Sequence, residues 1–119
     1  MHELSVCQAL IEQIQAVADA HGATAVERIL LQIGPLSGVE IPLLERAYPL
    51  AAAGTVADGA VLVIEPMPIK VLCQTCGHES EVSPNRLLCN ACGDFRTRLI
   101  SGDEMVLASI ELITENHSG

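Results

Sequence analysis

The sequence predicts an α+β protein, in which a small host domain of two helices on a three-stranded sheet carries an inserted, metal-stapled module. Three observations carry this prediction. Two stretches have apolar residues at helical spacing, three others are rich in aliphatic residues, and two CxxCG turns precede the last of these. We expect the strands at about 26–34, 60–66 and 104–114, the host domain at 1–69 and 100–119, and the module at 70–99.

The first helix is expected at residues 3–21. Glu3 lies in its first turn, where a carboxylate is favoured by the helix dipole, and Gly22 follows its end. Cys7 lies on the apolar face and has no partner at metal-ligand spacing, which indicates a small buried thiol. The apolar positions are Leu4, Cys7, Leu10, Ile11, Ile14, Val17 and Ala18.

A strand follows at 26–33 and is closed by Gly34-Pro35. The second helix begins at Pro42, a residue tolerated in a first turn. Pro49 falls inside this helix, and we expect a kink or a break near Tyr48 because proline has no N–H to donate.

The apolar run at 60–64 predicts a strand buried on both faces, and the alternating pattern at 105–113 predicts a last strand with one buried face. If these two strands pair, the module is an insertion between neighbouring strands of one sheet.

The module is defined by two turns, Cys73-Gln-Thr-Cys76-Gly77 and Cys89-Asn-Ala-Cys92-Gly93, with twelve residues between Cys76 and Cys89. Each CxxC places two sulfurs on one turn, so two turns supply a tetrahedral four-sulfur shell. Such a shell suits Zn²⁺ first and a single iron second, and the spacing is typical of a zinc ribbon. The polar segment between the pairs has little apolar surface, so we expect the metal to stabilise it.

Two other interpretations of the cysteines are weaker. Disulfides need an oxidising compartment, and the N-terminal sequence lacks the apolar segment of a secretory signal, so we expect a cytoplasmic protein. A redox protein of the thioredoxin type would have one CxxC, whereas this chain has two matched copies.

The composition of the chain limits the kinds of partner that it can bind. The chain has 119 residues and a formal charge of −9, and its aromatic residues are Tyr48 and Phe95 alone. Such a chain repels phosphate backbones and offers no platform on which bases stack, so we expect no nucleic-acid binding. No apolar run approaches the roughly 20 residues of a membrane span, so we expect no membrane association.

The N-terminal Met1-His2-Glu3 is a second candidate metal site. A histidine at this place is most simply a solvated residue before a helix. However, the Met1 α-amine, the deprotonated His2 backbone nitrogen and His2 Nδ1 can close two chelate rings in one plane. Planar nitrogen donors select Ni(II) or Cu(II).

Together these features resemble the HypA/HybF family of hydrogenase-maturation nickel metallochaperones. The resemblance runs nearly from end to end of the chain. It is carried by Met1-His2-Glu3-Leu4-Ser5, Val39-Glu40, Gly54-Thr55, Asp58-Gly59-Ala60, the two CxxC turns and Ser101-Gly102-Asp103-Glu104.

The resemblance implies a nickel site at the N-terminus, with His2 as a ligand and the Met1 amine and Glu3 as contributors. It implies a structural zinc on Cys73, Cys76, Cys89 and Cys92. It also implies a cytoplasmic carrier that works with a partner GTPase and delivers nickel to the large subunit of a nickel–iron hydrogenase. We expect a monomer or a weak homodimer.

Two alternatives from other classes stay open at this point. A rubredoxin-like electron-transfer module would hold one redox-active iron on the four cysteines. A zinc-ribbon adaptor would only present a protein-binding surface, with His2 as a bystander. An enzyme is not expected, because the sequence shows no nucleophile–base pair and the four-sulfur shell leaves no open position for water.

Overall fold

A computed structural model describes residues 3–114 of the chain. Within these residues both helices lie in the first half of the chain and a run of five strands follows them, an order typical of an α+β protein. The elements are α1 (Glu3–Ala20), β1 (Ala23–Ile33), α2 (Ile41–Ala52), β2 (Val61–Pro66), β3 (Ile69–Cys73), β4 (Glu79–Val82), β5 (Thr97–Ser101) and β6 (Met105–Thr114).

The host sheet has the strand order β2-β1-β6. Its three strands lie within a few residues of the predicted ranges, so the predicted two helices and three-stranded sheet are confirmed. The last strand does not pair directly with residues 60–64, a possibility that the sequence left open, because β1 lies between β2 and β6. The long aliphatic β1 is the strand best suited to this central place, since it carries the buried side chains of Val26, Ile29 and Leu31.

The described chain forms two compact units. The first comprises residues 3–31, Val39–Ile64 and 107–114, and the second comprises Gln32–Gly38 and Glu65–Val106. The second unit extends beyond the range 70–99, since it also includes the end of β1 with the segment after it, the end of β2 and the start of β6.

The core of the first unit is aliphatic, as the composition predicts. From α1 it takes Cys7, Leu10, Ile11, Ile14 and Ala18, whose three- and four-residue spacing places them on one face. Burying each leucine or isoleucine stabilises the fold by about 2 kcal/mol. From β1 and α2 the core takes Val26, Ile29, Leu31, Leu44, Tyr48 and Ala52.

Helix α2 continues through Pro49 to Ala52, so the expected break near Tyr48 is wrong. Pro49 lies in the last turn, and the N–H of Ala53 donates to its carbonyl at 3.1 Å. Tyr48 is fixed on the buried face, with 6% of its surface exposed. The packing of the buried face stabilises the helix enough for it to continue beyond Pro49, which has no backbone N–H to donate.

A second sheet, which the sequence did not predict, organises the second unit. Its order is β4-β3-β5, and both pairings are antiparallel. The central strand β3 buries Ile69 and Val71 on one face and ends at Cys73. The first CxxC turn therefore begins at the end of the buried central strand, which fixes its position.

The second unit also contains a close approach of two glycines. The N–H of Leu36 donates to the Gly102 carbonyl at 2.8 Å, which draws the segment after β1 against residues 102–104. A Cβ at Gly34 would overlap the Gly102 backbone. Because the obstacle is backbone, no side-chain rotation relieves the overlap.

We predict that Gly34→Ala destabilises the protein by about 3 kcal/mol, because overpacking against backbone forces the chain apart. Gly59→Ala is the matched control. At Gly59 a Cβ meets open space and the positive φ of 79° alone is unfavourable, so we expect a loss of about 1 kcal/mol. Urea denaturation of the zinc-loaded variants measures both values, and equal losses would contradict the packing explanation.

Candidate metal centre

The two CxxCG turns are built alike. In the first, the Gly77 N–H donates to the Cys73 carbonyl at 3.0 Å, and in the second the Gly93 N–H donates to the Cys89 carbonyl at 2.9 Å. The φ angles of the two glycines are 75° and 76°, a left-handed conformation that favours glycine. The same local geometry thus presents each pair of sulfurs.

The turns bring the four predicted sulfurs together. Cys73 Sγ lies 3.6 Å from Cys92 Sγ, Cys76 Sγ lies 3.5 Å from Cys89 Sγ, and all four lie within 4.8 Å of one another. A tetrahedron with Zn–S bonds of about 2.3 Å has S···S edges of about 3.8 Å. These separations fit a four-sulfur zinc shell and are far longer than the roughly 2 Å of a disulfide.

Backbone N–H groups favour the thiolate form at the first cysteine of each turn. The N–H groups of Cys92 and Ala91 point at the Cys89 sulfur and hold the pKa of Cys89 at about 6. The Cys76 N–H lies 3.4 Å from the Cys73 sulfur and lowers the pKa of Cys73 in the same way. The turns are therefore arranged for sulfur anions.

The close contacts among the sulfurs limit how many of them ionise. The Asp94 N–H favours the thiolate of Cys92, but the hydrogen bond with the facing Cys73 sulfur, burial, and the contacts with Cys76 and Cys89 outweigh that effect and raise the pKa of Cys92 to about 12. Four thiolates at this separation thus need a cation among them, and a soft divalent ion such as Zn²⁺ meets that need.

Burial gives the cluster an inner and an outer side. Cys73 and Cys89 are 2% and 3% exposed, whereas Cys76 and Cys92 are exposed. The second turn is held to β4 by Ser80, a buried residue whose Oγ accepts the Asn90 N–H at 3.0 Å. The inner cysteines are anchored in the unit, and the outer ones close the site towards solvent.

The carboxylate of Asp94 lies directly beside the two turns. Thr75 Oγ1 donates to it at 2.5 Å, and the Arg96 N–H donates to its other oxygen at 2.9 Å. These hydrogen bonds lower the pKa of Asp94 to about 2, with that of Thr75 the largest cause. Sequence reasoning missed both Thr75 and Asp94, since a threonine and an aspartate near CxxC turns carry no signal of their own.

Two further residues that the sequence singled out, Glu3 and Cys7, lie in α1 and outside this cluster. Met1 and His2 are outside the described residues, and Glu3 begins α1. Within residues 3–114, the four cysteines form the one group of three or more metal-binding side chains. Cys7 is buried as expected, and burial raises the pKa of its thiol. His78 is exposed.

A family model described as "Hydrogenase/urease nickel incorporation, metallochaperone, hypA" matches residues 1–112. The chain belongs to this HypA family. The resemblance that the motifs indicated is therefore confirmed over nearly the whole sequence.

Curated relatives agree with this membership. The hydrogenase maturation factor HypA of Nitrosospira multiformis is 55% identical over 114 residues, a match that covers 96% of this chain and 99% of that protein. The protein of the same description from Aquifex aeolicus is 43% identical over 112 residues, covering 94% of this chain and 97% of that protein.

The fold is likewise that of known members of the HypA family. The solution structure of the Ni metallochaperone HypA from Helicobacter pylori superposes with a TM-score of 0.72 at 27% identity, covering 97% of this chain and 100% of that chain. A further solution structure of a HypA protein gives a TM-score of 0.73 at the same identity. Within residues 3–114, no helix of this HypA-family chain is long and apolar enough to cross a membrane.

We predict that the Cys73→Ser variant does not bind zinc and that its residues 70–99 become disordered, while the host sheet persists. The buried apolar side chains of β3 are too few to hold this unit without a metal, whose binding contributes on the order of 10 kcal/mol. Metal analysis and amide NMR spectra of the variant test this.

The matched control for that variant is Cys7→Ser, which removes a thiol from the first unit and leaves the cluster intact. It is expected to keep one zinc per chain. Retention of one zinc and an unchanged 70–99 spectrum in Cys73→Ser would overturn the four-sulfur site.

Proposed function

We propose that the chain is a nickel metallochaperone, which binds Ni(II) at its N-terminus and delivers it, with a partner GTPase, to the large subunit of a nickel–iron hydrogenase. The observation that carries this proposal is the family match, which begins at residue 1 and is described by nickel incorporation for hydrogenase and urease. The relatives' description as hydrogenase maturation factors supports the same role.

The ligands proposed for nickel are the Met1 amine, the backbone nitrogen and Nδ1 of His2, and a contribution from Glu3. Helix α1 begins at Glu3, so the terminal amine and the histidine immediately precede a helix N-terminus. The dipole there disfavours a cation by up to about 1 kcal/mol, and the Glu3 carboxylate offsets this. Planar nitrogen donors suit Ni(II) or Cu(II), and we choose Ni(II) because the matching family is described by nickel incorporation. We expect a moderate affinity, since a carrier must release its ion.

The zinc is assigned to Cys73, Cys76, Cys89 and Cys92, as a resident structural ion. Their sulfur separations and thiolate-favouring turns support this choice. All four lie in the proposed zinc-binding domain at 70–99, and 1–69 with 100–119 form the proposed nickel-binding domain. A closed four-sulfur shell offers no position for water, so we assign the chain to carriers without turnover.

The remaining parts of the proposal follow from the carrier role. A protein that hands nickel to a hydrogenase subunit during maturation works where that subunit is made, so we place it in the cytoplasm. We expect contacts with the GTPase and the large subunit, and a monomer or a weak homodimer between deliveries. The formal charge of −9 supports the absence of nucleic-acid partners.

We predict that His2→Ala abolishes nickel binding, because it removes the imidazole from the chelate. Extending the N-terminus by two residues should weaken nickel binding and change the spectrum, since the amine leaves the chelate plane. Zinc content and thermal stability should stay unchanged in both variants. Calorimetric titration with Ni(II) and the visible spectrum measure these effects, and the native protein should give a yellow, diamagnetic complex.

His21→Ala is the matched control, since this histidine lies just beyond the end of α1 with its ring bonded to the Val17 carbonyl at 2.9 Å. It should leave nickel binding unchanged. If the extended protein binds nickel with the same stoichiometry, affinity and spectrum as the native one, Met1 is not a ligand. Retention of nickel binding by His2→Ala would overturn the N-terminal site altogether.

A further inference from the structure

We propose that Thr75 and Asp94 are positioning residues that clamp the two CxxC turns together and slow the loss of zinc. The inference rests on the proposed zinc assignment. It adds a role for two side chains that are not themselves metal ligands.

The clamp joins the turns directly. Thr75 lies between Cys73 and Cys76 in the first turn, and Asp94 follows the second turn after Gly93. The bond from Thr75 Oγ1 to Asp94 Oδ2, at 2.5 Å, is a short charge-assisted hydrogen bond. It therefore links the two halves of the site through side chains alone.

Asp94 is itself held in place. Its other oxygen, Oδ1, accepts the Arg96 N–H at 2.9 Å and the Arg96 Nε–H at 3.3 Å. The Asp94 side chain is only 13% exposed, whereas that of Arg96 is 66% exposed. A carboxylate with both oxygens engaged and little solvent access can act as a fixed anchor for Thr75.

The clamp lies at the side where zinc must leave. Cys76 and Cys92 are the exposed ligands, while Cys73 and Cys89 are buried. Thr75 immediately precedes Cys76, and Asp94 is two residues beyond Cys92. Separating the exposed sulfurs moves Thr75 away from Asp94, so zinc release requires the clamp to open.

Other contacts hold the unit together when the clamp is removed. The Gln74 N–H donates to the Arg96 carbonyl at 2.9 Å, and Ser80 Oγ accepts the Asn90 N–H. These bonds involve no atom of the Thr75 side chain. Substitution of Thr75 is thus expected to change the zinc kinetics while the fold stays intact.

The test measures zinc release from the full, zinc-loaded chain to an excess of a chromophoric chelator. Thr75→Ala should release zinc about tenfold faster, as expected for loss of a residue that orients a metal ligand. Thr75→Ser keeps the hydroxyl and should restore the wild-type rate. Thr97→Ala is the matched control, because the Thr97 hydroxyl donates to the Leu87 carbonyl at 2.9 Å, within the same unit but outside the two turns.

Asp94→Ala should also release zinc faster, and adding Thr75→Ala to it should change the rate no further, because the partner is already gone. Cadmium NMR of the substituted protein should report four sulfur ligands in every variant. The clamp is refuted if Thr75→Ala releases zinc at the rate of Thr97→Ala, if Thr75→Ser fails to restore the rate, or if the ligand set changes. A wild-type chain without zinc would instead refute the zinc assignment.

Discussion

The second unit depends on a single electrostatic constraint, the crowding of four cysteine sulfurs within 4.8 Å of one another. Two unit charges 4 Å apart repel by about 1 kcal/mol in water and by about 4 kcal/mol near a protein surface. Four thiolates are therefore stable together only around a cation. The rest of the unit is arranged to present them, since β3 ends at Cys73 and the backbone N–H groups of both turns point at sulfur. Buried apolar side chains such as Ile69 and Val71 are few, so the proposed zinc ion supplies stability that the core does not.

The two proposed metals bind two kinds of ligand in different parts of the chain. Thiolates in a tetrahedral shell favour zinc, whereas an amine, an amide nitrogen and an imidazole in one plane suit Ni(II) or Cu(II). With the proposed sites, this difference in ligand chemistry would let one small protein retain a structural ion while it exchanges another. The first unit contributes a helix fixed by its buried face, from Cys7 to Ala18, and the proposed nickel ligands precede that helix. The proposed clamp of Thr75 and Asp94 is consistent with this division of roles, because a structural zinc ion must dissociate slowly.

The sequence predicted the host fold and the cysteine cluster, because hydrophobic periodicity and CxxC spacing are local signals. It did not predict the sheet β4-β3-β5, since short strands such as Glu79–Val82 become strands only through their antiparallel partners. The break expected at Pro49 was wrong, because burial of Tyr48 and Ala52 outweighs one missing N–H. Thr75, Ser80 and Asp94 could not be found at all. Their roles come from hydrogen bonds between segments, such as the Ser80–Asn90 contact at 3.0 Å, that only the folded chain brings together.

The most direct test of the two-metal account is elemental analysis of the native-terminus protein, as purified and again after incubation with Ni(II) and removal of free metal. We expect one zinc per chain at the start, then one zinc and one nickel, with the zinc content unchanged. Nickel that replaces zinc one for one would contradict this expectation, because both ions would then share the four cysteines. Iron in place of zinc in the purified protein would contradict the assignment of the cluster as a structural zinc site.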